Sequence, residues 1–260
     1  MAYKNYQELQ VELNDGIAVI TFVKPSNERM KSEVQQIFKD MRWDPEVRVV
    51  VVTGTGERFW DSDASKQDRK VIAALNTPDF AAKTIENYRD VMWALIDFDK
   101  PLVAAVQGLA LGSSLRLAMM ADFVIASERA TFCDHHIKGG IAAGDGGVLF
   151  WPLLTGMRMA KQYLLTGDQL DAKEAERIGL INKVVPHDQL MPEAMTLARR
   201  LAAGPTYAMR LTKQSLHQWY KVFAVNAFEF SAWAEMASML SPEGKEGLAA
   251  SAERREPKFH

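Results

Sequence analysis

PLVAAVQGLALGSSLRLAMMADFVIAS, residues 101–127, is the stretch that decides the fold. PLVAAVQG (101–108) is an apolar run ending in glycine and reads as a strand buried on both faces. ADFVIAS (121–127) reads as a second strand. Between them GSSLRLAMMA (112–121) has helical composition, with a helix start near Ser113. Upstream, RVVVVTG (48–54) is another continuous apolar run, followed by a helical stretch over about 78–98. Further back, YQELQVEL and IAVITFV flank NDG, the signal of a β-hairpin. Strands alternate with helices to about residue 133, which predicts stacked βαβ-like units.

Downstream the pattern turns helical. LDAKEAERIG (170–179) predicts a helix capped by Gly179, and 192–204, 206–222 and 226–240 predict amphipathic helices. The last two carry Trp, Phe and Met in excess. Those residues serve either core packing or an interface between copies, with Phe228, Phe230 and Trp233 expected on an exposed patch.

Composition narrows the function classes. The 260 residues carry a net charge of −2, and no Lys/Arg-rich run points to nucleic acid or a membrane surface. The charged N-terminal stretch does not read as a signal peptide, and no apolar run reaches the roughly 20 residues of a membrane span. One cysteine excludes an internal disulfide framework. A cytoplasmic protein of one substantial domain is expected.

Three segments carry candidate chemistry. At 108–122 the N–H groups of a helix start can hold an oxyanion, or Ser113 can simply cap the helix. ERFWDSDASKQD (57–68) follows a buried strand, where open α/β folds bind ligands, or is a solvated loop. HHIKGGIAAGDGG (135–147) holds two of the five histidines and five glycines around Asp145. On a strand the two histidines would face opposite ways, so they do not make a two-histidine metal site. A carboxylate between glycines is either a turn-former or a catalytic group.

Together these segments resemble the crotonase superfamily, the enoyl-CoA hydratase/isomerase group, from about residue 7 to the C-terminus. RVVVVTGTGERFWDSDASK and PLVAAVQGLALGSSLRLAMMADFVIASERATF resemble its two oxyanion-hole segments. GGIAAGDGG, LLTGDQLDAKEAERIGLINKVVP and PEGKEGLAASAERREPKF resemble its middle and ending. The resemblance implies an α/β fold, a crotonase-type spiral of ββα units over residues 1–190. A helical C-terminal trimerisation region over 191–260 would make a homotrimer or hexamer.

It also implies roles. The backbone N–H groups of Asp63 and Ser113 would form the oxyanion hole, with Trp60, Ser114 and Arg116 lining the pocket. Arg116 and His136 stand where family hydratases carry two glutamates. Because arginine cannot act as a base, two-glutamate hydration is not available. Within the superfamily His136, Asp145, the GDG and Trp151–Pro152 most resemble 6-oxocamphor hydrolase, a β-diketone hydrolase. There His136 would activate water, Glu235 orient it, and Asp145 handle a proton at the enolate carbon. A histidine expected near the second oxyanion segment is Ser114 here, and a tryptophan expected near Met30 is absent. The alternatives are a divergent acyl-CoA hydratase or isomerase, an inactive binding or scaffold homologue, and a dehalogenase-like use of Asp145 as nucleophile. No metal or cofactor is expected beyond a CoA moiety on the substrate, and the partner is a small carbonyl compound or acyl-CoA. His136 is expected to work neutral near pH 7, with Arg116 lowering its pKa and Asp145 and Glu235 raising it.

Overall fold

The computed structural model describes residues 3, 5–23, 27–60, 64–75, 77 and 79–259. β1 (Leu9–Asn14) and β2 (Ile17–Phe22) form the expected hairpin, with Asp15 and Gly16 both at positive φ in the two-residue turn. α1 (Glu28–Trp43) follows, its apolar Met30, Val34, Ile37, Phe38 and Met41 all buried at helical spacing. Next come β3 (Val49–Gly54), α2 (Ala64–Ala74), α3 (Phe80–Ile96), β4 (Leu102–Val106), β5 (Leu109–Leu111), α4 (Ser113–Met120), β6 (Phe123–Ser127) and β7 (Thr131–Cys133). The second half holds α5 (Gly147–Thr166), β8 (Leu170–Asp171), α6 (Ala172–Arg177), β9 (Lys183–Val185) and α7 (Leu190–Ala202). α8 (Thr206–Phe223) runs through a π turn at Ala224–Phe228 into α9 (Glu229–Met239), and α10 (Pro242–Glu253) closes the chain.

The main sheet has the order β1-β2-β3-β4-β6-β9 and is parallel from β2 onward. Its central strands bury both faces, as their unbroken apolar runs require. Val49, Val51, Val103, Ala105 and Ile125 pack on α7, whose Ala194, Ala198 and Ala202 recur every four residues and let that helix approach closely. Val50, Val52, Ala104 and Val106 face the larger core with α1, α3 and α5.

A second, three-stranded sheet positions the site. β5 and β7 are parallel, with Leu111 opposite Cys133. The segments that follow, Gly112–Ser114 and Asp134–His136, therefore leave the sheet side by side. The segment before Trp60 joins them: Phe59 N–H donates to Leu109 O (3.0 Å) and Leu109 N–H to Glu57 O (3.2 Å). Gly108 is needed for this contact, because any Cβ there would overlap the Glu57 carbonyl.

Two expectations need correction. Phe228 is not on an exposed patch but is 1% exposed within the core, whereas Phe230 (68%) and Trp233 (61%) are exposed. Residues two apart on a helix point nearly opposite ways, so Phe228 and Phe230 cannot share a face. The histidines are not on a strand either: β7 ends at Cys133 and a 3₁₀ turn spans His136–Gly139. Among the described residues no helix is long and apolar enough to cross a membrane.

Candidate active site

A cavity of about 200 Å³ opens at the C-terminal ends of β5 and β7. It is walled by Ser113 and Ser114 of α4, Tyr88 of α3, His135 and His136, Asp145, and Glu235 of α9. Val71 of α2 and Leu248 of α10 supply apolar walls, and Trp60 closes one side. Of the residues expected at the site, His136, Asp145, Glu235, Ser113, Ser114 and Trp60 all line this space. Arg116 lies behind Asp145, on a smaller adjoining cavity that also touches Trp60 and Ser113. Asp63 lies outside the described residues.

Asp134 holds His136. The imidazole Nδ1 lies 2.6 Å from Asp134 Oδ1; the carboxylate is buried and the imidazole partly so. That contact assigns the Nδ1 proton to a bond toward the carboxylate and turns Nε2 into the cavity, 3.9 Å from Asp145 Oδ1. Burial alone lowers the His136 pKa; the charges of Asp134 and Asp145, the Asp134 hydrogen bond and Glu235 outweigh it and hold the imidazole well above its usual range. His136 therefore holds its proton more tightly than an ordinary imidazole, the raising charges outweighing burial. Asp134, two residues before the histidine, tips the balance. His135 also lines the cavity; burial and the His136 charge push its pKa down, and its Nδ1 has no partner.

Asp145 does not serve as a turn-former. Among the described residues no amide of its own loop donates to its carboxylate. Arg116 Nη1 instead donates to the Asp145 backbone carbonyl (2.8 Å) and lies 3.6 Å from Oδ2, with both side chains buried. The flanking glycines answer to neighbouring carboxylates. A Cβ on Gly144 would overlap Glu235 and the Ser231 carbonyl, and one on Gly147 would overlap Asp134 Oδ2. Only glycines let the loop pass between these acids.

Glu235 is 1% exposed. Oε1 accepts the Tyr88 hydroxyl at 2.8 Å, and Oε2 is buried without a partner. Burial raises its pKa to about 7 against the lowering effects of His136, Tyr88 and Arg116, with Asp145 adding to the rise. The Ser114 hydroxyl is turned back on its own turn, donating to Leu111 O (2.9 Å) and accepting from Leu111 N–H (2.8 Å). Trp60 stacks flat on Phe22 at 4.9 Å, and its indole N–H has no partner. Asp134, His136 and Asp145 also place one potential metal-ligand atom each within 4.8 Å of one another. The local spacing of the two histidines could not show this trio, because two of its members are carboxylates.

The sequence profile of the enoyl-CoA hydratase/isomerase family matches residues 12–260. The chain belongs to that family. It is a crotonase-superfamily enzyme, and its fold is the crotonase fold. A crotonyl-CoA hydratase from Syntrophomonas wolfei is 32% identical over 265 aligned positions, covering 100% of this chain and 99% of that protein. Among solved structures, an enoyl-CoA hydratase from Mycobacterium avium subsp. paratuberculosis is similar with a TM-score of 0.84, at 26% identity over 98% of this chain and 99% of that one. A β-diketone hydrolase from the cyanobacterium Anabaena sp. PCC 7120, bound to (S)-3-oxocyclohexyl acetic acid, is similar with a TM-score of 0.83. It is 26% identical over 94% of this chain and 96% of that one.

Proposed function

We propose that this family member hydrolyses a carbon–carbon bond of a β-diketone by way of an enolate. One observation carries the reading. A carboxylate-held imidazole, His136 on Asp134, presents Nε2 to the cavity beside a second carboxylate, Asp145, while Arg116 fills a position where family hydratases need a glutamate. That set can activate water and then move its proton, but it cannot run a two-glutamate hydration.

In the reactive form His136 has given up its extra proton. Nε2 takes a proton from a water oriented by Glu235 Oε2, and the water oxygen bonds to one carbonyl carbon as its C=O electrons move to oxygen. The tetrahedral adduct re-forms that carbonyl and expels the adjoining carbon. The electron pair of the broken C–C bond becomes the enolate of the second carbonyl. The proton taken by His136 passes through Asp145, 3.9 Å away, to the enolate carbon. The second hydrogen of the water stays on the new carboxyl group, so diketone plus water gives a keto acid when the diketone is cyclic. The enolate oxygen is held by the backbone N–H of Ser113, on the cavity wall; such a donor is typically worth ~3 kcal/mol in the transition state.

Acyl-CoA hydration or isomerisation is the second reading, favoured by the crotonyl-CoA hydratase similar over the full chain. Calorimetric titration separates the two. The β-diketone reading predicts heat with a cyclic 1,3-diketone and none with CoA or crotonyl-CoA. Saturable binding of crotonyl-CoA with no response to diketones would overturn it in favour of the second.

A further inference from the structure

We infer that Tyr88 is a positioning residue for this site, one side chain of α3 that holds Glu235 with its hydroxyl and Arg116 with its ring. The inference rests on the reading of Glu235 as the group that orients water. Tyr88 is remote in sequence from both residues it touches. Its hydroxyl donates to Glu235 Oε1 at 2.8 Å. The Arg116 guanidinium carbon lies over its ring, 5.8 Å from the centroid. Arg116 in turn donates to the Asp145 carbonyl and faces the Asp145 carboxylate. The acid from α9 and the loop carrying Asp145 are thus referenced to the same phenol.

The hydroxyl bond has a chemical consequence. With Oε1 occupied as an acceptor, the remaining chemistry of Glu235 is confined to Oε2, buried and without a partner. Protonated, Glu235 offers one O–H from Oε2; ionised, it offers the lone pairs of Oε2 to water. The groups that face Glu235 come from four elements: Tyr88 on α3, Arg116 on α4, His136 in the 3₁₀ turn, and Asp145 in the loop before α5. Tyr88 favours the ionised acid, as a donor to a carboxylate must. The phenol itself stays protonated, because burial, then the charges of Glu235 and Asp145, push its own pKa well up. The ring supplies an independent hold, since the face of an aromatic attracts a guanidinium.

The test reads Glu235 directly. With glutamate ¹³C-labelled at the side-chain carboxyl and the signal assigned by its loss in Glu235→Gln, Tyr88→Phe keeps the ring and removes only the donor. The Glu235 titration midpoint is expected to rise by about half to one pH unit, with the melting temperature little changed. 3,5-Difluorotyrosine placed at position 88 keeps the shape and strengthens the donor, so the midpoint is expected to fall. A midpoint that stays put in both proteins overturns the inference, as does movement of both in one direction. If Tyr88→Phe fails to fold, the fluorinated protein alone decides by the sign of its shift. No substrate enters this measurement. A shifted midpoint in a protein that cleaves no diketone would retain the positioning role and reject the reaction; cleavage with unmoved midpoints would do the reverse.

Discussion

Replacing Asp134 by asparagine removes a charge from the site while keeping its shape. The amide oxygen can still accept from His136 Nδ1, now 2.6 Å from Asp134 Oδ1. The charge is what matters for the proton on His136. Both side chains are largely out of water, at 14% and 4% exposure. At ~4 Å and an effective dielectric near 20, a unit pair is worth roughly 4 kcal/mol, a ceiling of about three pH units. Asp145 and Glu235 remain, so the midpoint is expected to fall by about one to three units at most. The assay is NMR titration with ¹⁵N-labelled histidine, the His136 signals being identified by their loss in His136→Gln. Turnover should follow: the rising limb of kcat/KM moves to lower pH, because neutral His136 is the reactive form. The stability effect has a definite sign. A raised histidine pKa stabilises the fold fully below the unfolded value and stops doing so as pH rises through the folded value. The lowered Asp134 pKa, held down against burial mainly by the His136 charge, contributes above its unfolded value and is lost in acid. Asp134→Asn should therefore lower the melting temperature more at pH 6 than above the His136 midpoint. An unmoved His136 midpoint would refute the coupling and the relay built on it.

Asp145→Asn should cut turnover by roughly 100-fold or more with substrate affinity nearly unchanged, because the amide cannot carry a proton; steady-state kinetics on a cleaved diketone checks this, and near-normal turnover would remove Asp145 from the proton path. Glu235 keeps a proton in the fold up to about pH 7 that the unfolded chain releases near 4.5, so ionising it costs on the order of 3 kcal/mol as pH rises through that window. Glu235→Gln should accordingly melt higher than the parent at pH 8, with the gain gone at pH 5, even as activity falls. The exposed Phe230 and Trp233 lie 6.1 Å apart on α9, with the exposed Trp219 on α8. We propose that this surface is covered by further copies. Sedimentation should then show a trimer or its multiple, weakened by Phe230→Asp; a stable monomer at micromolar concentration would contradict it.

Five strands of the main sheet, β1 to β4 and β6, and most helices were legible because burial imposes period; the two- and three-residue strands β5, β7, β8 and β9 are too short to show one. Val49–Gly54 and Leu102–Val106 are apolar without interruption because both faces of the sheet are covered. The helix over 28–43, absent from the sequence-based expectations, carries the same kind of signal in Met30, Val34, Ile37, Phe38 and Met41 at helical spacing. His136, Asp145 and Glu235 could be placed only through resemblance, since the chain approaches the cavity from separate elements. Asp134 stood in plain view beside the histidines. Its signal was an acid two residues from an imidazole, a spacing that becomes a hydrogen bond only once the chain turns at the end of β7. Tyr88 gave no local sign, because its partners Arg116 and Glu235 meet it only in the packed core.

Incubating the enzyme with cyclic 1,3-diketones in ¹⁸O-water and weighing the product shows whether water is added across a carbon–carbon bond. A ring-opened keto acid with one ¹⁸O in its carboxyl group is expected, formed by the parent enzyme and not by His136→Ala. Intact diketone throughout, together with conversion of crotonyl-CoA to its hydrated product, would contradict the β-diketone reading.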